Sequence, residues 1–155
     1  MRVFLTAVAV FLLDMGSKYL AQRLIAPDDR IPLIHGVFYL TLVRNPGAAF
    51  GILAYRTNFF ILITVVVVVL LIYYSRHYAG AHPLWPVAIG LQLGGAVGNL
   101  IDRLRYGRVV DFLEFPFWPV FNLADAALVT GVGLFVLLLW LTPSTPAPPG
   151  RQGDG

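Results

Sequence analysis

The chain has no cysteine. That removes disulfides, thiol nucleophiles and thiolate metal sites, while saying little about the compartment in which it works. Charge is also scarce. Only 12% of the 155 residues are Asp, Glu, Lys or Arg, where a soluble domain carries roughly 25%. The three histidines, His35, His77 and His82, fall in expected loops and lack the paired helical spacing of a zinc-binding motif. The net charge of +3 is small, and the basic residues are scattered instead of gathered with aromatics on one face, so nothing points to nucleic acid. No serine has a visible acid or base partner for nucleophilic catalysis.

What remains is apolar. The chain is 58% hydrophobic with a mean hydropathy of +0.77, the composition of a polytopic membrane protein. Four apolar segments, at about 3–20, 58–74, 84–101 and 121–141, each approach the ~20 residues that cross a ~30 Å hydrocarbon core. The first begins like a signal sequence, but no small-x-small cleavage site follows before Asp14 and Lys18, and we read it as a retained span. The fold expected is an all-α integral membrane protein of four transmembrane helices in one domain, 1–141, with residues 142–155 as a Pro- and Gly-rich disordered tail.

The connection 21–57 is more than a loop. Val37 to Val43 is rich in β-branched and aromatic residues and predicts a strand, and Arg44-Asn45-Pro46-Gly47 predicts a turn. Together they suggest a small β-platform on the membrane surface, and small residues follow at 48–51. Between the third and fourth segments Phe112, Phe115, Phe117 and Trp118 predict an interfacial loop. Gly90, Gly94 and Gly98, four residues apart, form a stripe that lets membrane helices approach closely.

Against this background the polar residues of the segments require a reason, since a charge in a bilayer is costly and usually faces protein, a cavity or a partner. Asp14 and Lys18, four apart, suit either a mutual ion pair or a brace for a site. Span parity places Asp14, Asn45, Asp102, Asp111 and Asp125 at one membrane face. Asp111 in the last loop and Asp125 one turn into the fourth segment can meet across a short hairpin, where two carboxylates share a proton and work as an acid–base pair on water. Spacing leaves two alternatives open: buried ion pairs with Arg103, Arg105 or Arg108, and a proton or cation pathway, as in a small proton-coupled transporter. A non-catalytic scaffold would explain the glycine stripe but not the acids. Counted naively, the arginines put both termini outside, although several lie beside acids and are not free to set topology.

Five blocks in register, Asp14-Met-Gly-Ser-Lys18, Val43-Arg-Asn45-Pro-Gly-Ala-Ala-Phe50, Gly94-Gly-Ala-Val-Gly-Asn99-Leu-Ile-Asp102-Arg103, Val109-Val-Asp111-Phe112 and Phe121-Asn122-Leu-Ala-Asp125, resemble the bacterial lipoprotein signal peptidase (signal peptidase II) family. The resemblance implies an aspartic endopeptidase of the bacterial inner membrane with both termini in the cytoplasm and its site near the extracytoplasmic face. It implies cleavage of diacylglyceryl-modified prolipoproteins before the lipidated cysteine, by a monomer in contact with membrane lipid, with no cofactor and no metal. Asp111 and Asp125 match the catalytic pair. Asn45, Asn99, Arg103, Asn122 and Ala124 match positions around the substrate or the pair, and Asp14, Lys18 and Asp102 match supporting positions. The segment between Asp111 and Asp125 is short for the family, which reduces the lid available to cover a substrate.

Overall fold

The computed structural model describes residues 1–47, 53–78 and 82–141; the small residues expected to follow the turn, at 48–51, and the tail at 142–155 lie outside them. The described residues form four long helices, α1 (Arg2–Leu24), α2 (Thr57–Tyr78), α3 (Trp85–Tyr106) and α4 (Leu123–Leu141), and three strands, β1 (Arg30–Ile34), β2 (Phe38–Asn45) and β3 (Val109–Glu114). The strands form one antiparallel sheet in the order β1-β2-β3.

Among the described residues, three helices are long and apolar enough to cross a membrane: α1, residues Thr57–Arg76 of α2, and α4. The expected fourth, α3, falls short on apolarity because it carries Gln92, Asn99, Asp102, Arg103 and Arg105. It is instead the helix that the others surround, touching α1, α2 and α4. α2 contains five consecutive valines, Val65 to Val69. A run of that kind favours a strand in water, but an apolar solvent leaves no partner for backbone N–H groups outside the segment, and the helix satisfies them internally. No residue of its apolar window is buried in protein.

The glycine stripe works by contact. A Cβ at Gly90 would lie 2.8 Å from the Val3 carbonyl oxygen, and one at Gly94 2.5 Å from that of Ala7. α3 therefore rests directly on the α1 backbone, as the spacing predicted. On its other side Gly95 does the same against the Ala124 carbonyl oxygen of α4, at 2.5 Å. α3 ends at Gly107, whose left-handed backbone (φ 68°) lets its N–H return to the Arg103 carbonyl.

The sheet docks on the end of this bundle. Ala21 and Ile25 bury against Phe112, with Leu40, Leu42, Leu113 and Leu123 packed around them. Four expectations are corrected here. The platform has a strand on either side of the predicted one, and residues 109–114, expected as loop, form β3, so Phe112 is a core residue. His77, also expected in a loop, falls in the last turn of α2. The aromatic loop is shorter than expected and carries Phe117 and Trp118 outward, while Phe115 stacks between Phe38 and Phe121 at 4.8 and 6.0 Å.

Candidate active site

The turn into α4 sets the geometry. Asn122 precedes the helix and Asp125 is its third residue, and the two cap each other. The Asp125 N–H donates to Asn122 Oδ1 at 2.9 Å, and the Asn122 N–H donates to Asp125 Oδ2 at 3.3 Å. This reciprocal box satisfies one of the orphan N–H groups at the start of α4 and fixes the Asp125 side chain. The neighbouring N–H, that of Ala124, donates to Asp14 Oδ1 of α1 at 2.9 Å. Ala124 thus contributes its backbone amide, and its side chain is fully buried.

Asp111 arrives from β3. Antiparallel pairing sets Val43 opposite Asp111 and Asn45 opposite Val109, so Asn45 and Asp111 share a sheet face. Asn45 Nδ2 donates to Asp111 Oδ2 at 3.0 Å, and Asn122 Nδ2 donates to Asp111 Oδ1 at 2.7 Å. The same Asn122 amide lies 3.1 Å from Asn99 Oδ1 and 3.3 Å from the Val110 carbonyl. Asn99 in turn donates from Nδ2 to Asp125 Oδ1 at 2.8 Å. Each carboxylate is therefore gripped by two donors, and Asn122 serves both.

Behind the asparagines lies a buried charge cluster. Lys18, only 2% exposed, pairs with Asp14 at 2.8 Å and Asp102 at 2.9 Å and donates to Asn99 Oδ1 at 3.0 Å. Asp102 Oδ2 also accepts the Val110 N–H at 3.2 Å. The alternatives for Asp14 and Lys18 merge, since the ion pair is itself the brace. Among the described residues, no arginine forms an ion pair with Asp14, Asp102, Asp111 or Asp125. Arg103 stands at the cavity with its guanidinium 4.9 Å from the Phe60 ring, donating to the Gly47 carbonyl at 3.3 Å.

Asp111 and Asp125 line one cavity of about 290 Å³, with Asn45, Asn99 and Arg103 on its polar side and Val109, Phe121, Leu128 and Val129 on its apolar side. Burial, and after it the charge of Asp125, push the Asp111 carboxyl up to about 7, against the hydrogen bonds of Asn45 and Asn122 that pull it down. A carboxyl that keeps its proton up to near neutral pH beside a second carboxylate is suited to acid–base work on water. Among the described residues, no three His, Cys, Asp or Glu side chains gather in a metal-holding group.

All ten residues singled out in the sequence meet here. The sequence reading missed the double part of Val110, whose backbone N–H and carbonyl tie β3 to Asp102 and Asn122; these are long-range backbone contacts with no local sequence signal. It also missed the Gly47 carbonyl and the wall formed by Leu128 and Val129.

The chain is similar to known proteins over nearly its whole length. The family model described as signal peptidase (SPase) II matches residues 6–141. The lipoprotein signal peptidase of Moorella thermoacetica is 45% identical over 153 residues, 99% of this chain and 98% of that one. That of Halothermothrix orenii is 49% identical over 138 residues, 89% and 94% of the two chains. A bacterial membrane enzyme structure obtained by the in meso method at 2.3 Å superposes with a TM-score of 0.85 at 34% identity, covering 99% of this chain and 93% of the other. Family match, relatives and fold concur: the chain belongs to the signal peptidase II family of lipoprotein signal peptidases.

Proposed function

We propose that the chain is a membrane aspartic endopeptidase that removes the signal peptide from diacylglyceryl-modified prolipoproteins, cutting before the lipidated cysteine, with Asp111 and Asp125 as the catalytic pair. The observation that carries this reading is that two carboxyls from different elements, each held by two hydrogen-bond donors, line one cavity with an apolar wall. The pair activates a water: one carboxylate takes its proton while the other donates one to the scissile carbonyl oxygen. Collapse of the tetrahedral adduct breaks the C–N bond as the amine takes up a proton, leaving a carboxylate and a free amine. Asn45, Asn99 and Asn122 orient the acids, and Lys18, Asp14 and Asp102 hold the asparagines and α4 in place. Arg103 faces the peptide backbone of the substrate. The acyl chains remain in the bilayer and present the peptide beside Leu128 and Val129.

The same reading has α3 as a fourth crossing, enclosed by the other helices, in the bacterial inner membrane. Both termini lie in the cytoplasm, the cavity lies near the extracytoplasmic face, and the enzyme acts as a monomer. Of the arginines that oppose this orientation in a bare count, Arg30 is paired with Glu114 and Arg103 belongs to the cavity, so neither is a free topological charge. The proton-coupled transporter weighed from the sequence is not supported, because the relatives are peptidases.

The test is a gel-shift assay of the full chain in detergent on a prolipoprotein with and without its lipid. The wild type is expected to cleave the modified form alone. Asp111→Asn and Asp125→Asn should each lose about 10²–10⁴-fold or more in rate while still unfolding in a cooperative transition. Turnover retained by either variant would reject the pair, and equal cleavage of both substrates would reject the lipid requirement.

A further inference from the structure

A second cavity, of about 310 Å³, lies on the other side of the sheet and is lined by Gln22, Arg44, Tyr106, Arg108 and Val110. Strand alternation separates the two cavities. Arg44 sits opposite Val110, on the face away from Asn45 and Asp111, and Arg108, just before β3, lines the same cavity. Gln22 and Tyr106 come from the last turns of α1 and α3, where the apolar helices give way to the sheet.

Two arginines brought to one face repel unless an anion joins them. Among the described residues the ion pairs are Lys18 with Asp14 and Asp102, and Arg30 with Glu114, so neither Arg44 nor Arg108 has a carboxylate partner. Both are exposed. Forked guanidinium donors with an amide and a phenol suit the oxygens of a phosphate group. The position argues for a lipid as its source: Gln22 and Tyr106 stand in the last turns of two helices, and those same turns carry the outward Leu24 and Leu104, which are 73% and 59% exposed. Acyl chains can run down from there while the headgroup meets the sheet.

We propose that Arg44 and Arg108 form a binding site for the phosphodiester headgroup of an anionic phospholipid, behind the strand that carries Asp111. Its occupant is a lipid of the surrounding bilayer. The diacylglyceryl group of the proposed substrate carries no phosphate and does not fit the site. Val110 lines this second cavity and its backbone holds Asp102 and Asn122, so an occupied headgroup site would steady β3.

The proposal is tested by lipid retention, which does not depend on peptidase activity. The full chain in neutral detergent is incubated with phosphatidylglycerol or with diacylglycerol of the same acyl chains, and bound lipid is counted by native mass spectrometry. Phosphatidylglycerol should be retained over diacylglycerol, and Arg44→Gln/Arg108→Gln should bind it roughly tenfold or more weakly, whereas Arg44→Lys/Arg108→Lys keeps most of the binding. Equal retention of the two lipids by the wild type, which needs no variant to fold, overturns the proposal, as does undiminished binding by the Gln variant. Millimolar inorganic phosphate should leave the lipid bound; displacement by phosphate alone would make this a free-anion site and reject the lipid.

Discussion

Asp111 gives the clearest consequence at the scale of single residues. Its carboxyl is raised from 3.8 to about 7, so between those values the folded chain keeps a proton that the unfolded chain releases. The folded state binds more protons there, and stability falls as pH rises through this window, reaching its low plateau above about 7. Asp111→Asn cannot titrate. The melting temperature of the wild type in detergent should therefore decline relative to that of the variant between pH 3.8 and about 7, and parallel curves would contradict the burial of this acid. Cleavage should follow the same group, with the rate falling as pH rises past about 7 and the shared proton is lost.

Gly98 offers a second residue-scale test. A Cβ there would run into the Asp14 carboxylate, whereas one at Gly133 meets nothing within 4 Å. Gly98→Ala should cost about 1–3 kcal/mol through overpacking. Gly133→Ala should be neutral or raise stability by up to about 1 kcal/mol. Thermal unfolding of the two variants in one detergent separates them, and equal melting points would contradict the contact.

Among elements, the buried cluster ties three helices together: Lys18 of α1 reaches Asp102 and Asn99 of α3, and Asp14 holds the first turn of α4. Lys18→Met leaves two acids without their counter-charge in an apolar interior. It should destabilise the chain by about 3–5 kcal/mol, the usual effect of removing one partner of a buried pair, measurable as a fall in chemical or thermal stability. The elements also differ in how legible they were. Helices stood out because apolar length is a local property, and β2 because Val37 to Val43 is rich in β-branched and aromatic residues. β1 and β3 did not stand out. Arg30–Ile34 is five residues with Pro32 in the middle, and Val109–Glu114 lies next to a Pro- and aromatic-rich stretch that reads as loop. Their strand character comes from pairing with β2, which is long-range. The meeting of acids was foreseeable from span parity, but the grip of Asn45 on Asp111 depends on sheet register, and local sequence does not encode register. Resemblance to a family supplied those residues where physical reading left alternatives open.

At the scale of the whole molecule, the proposed orientation can be read from the ends. A fluorescent protein fused after Gly155 should be bright in cells, and alkaline phosphatase at the same place inactive, because both termini are assigned to the cytoplasm; active phosphatase would reverse the topology. The chemistry occupies one end of the bundle. Asp14, Lys18, Asn99 and Asp102 lie where α1 and α3 approach the sheet, and the opposite end is closed by Trp85, Ala88 and Leu138. α2 is the most outward of the helices, with no residue of its apolar window buried. A helix that hides so little can tolerate a spectroscopic label or a photo-crosslinker on its outward side, at Leu62 or Val69 for example, both well exposed. Such a probe would sample neighbouring molecules during turnover without touching the reacting groups.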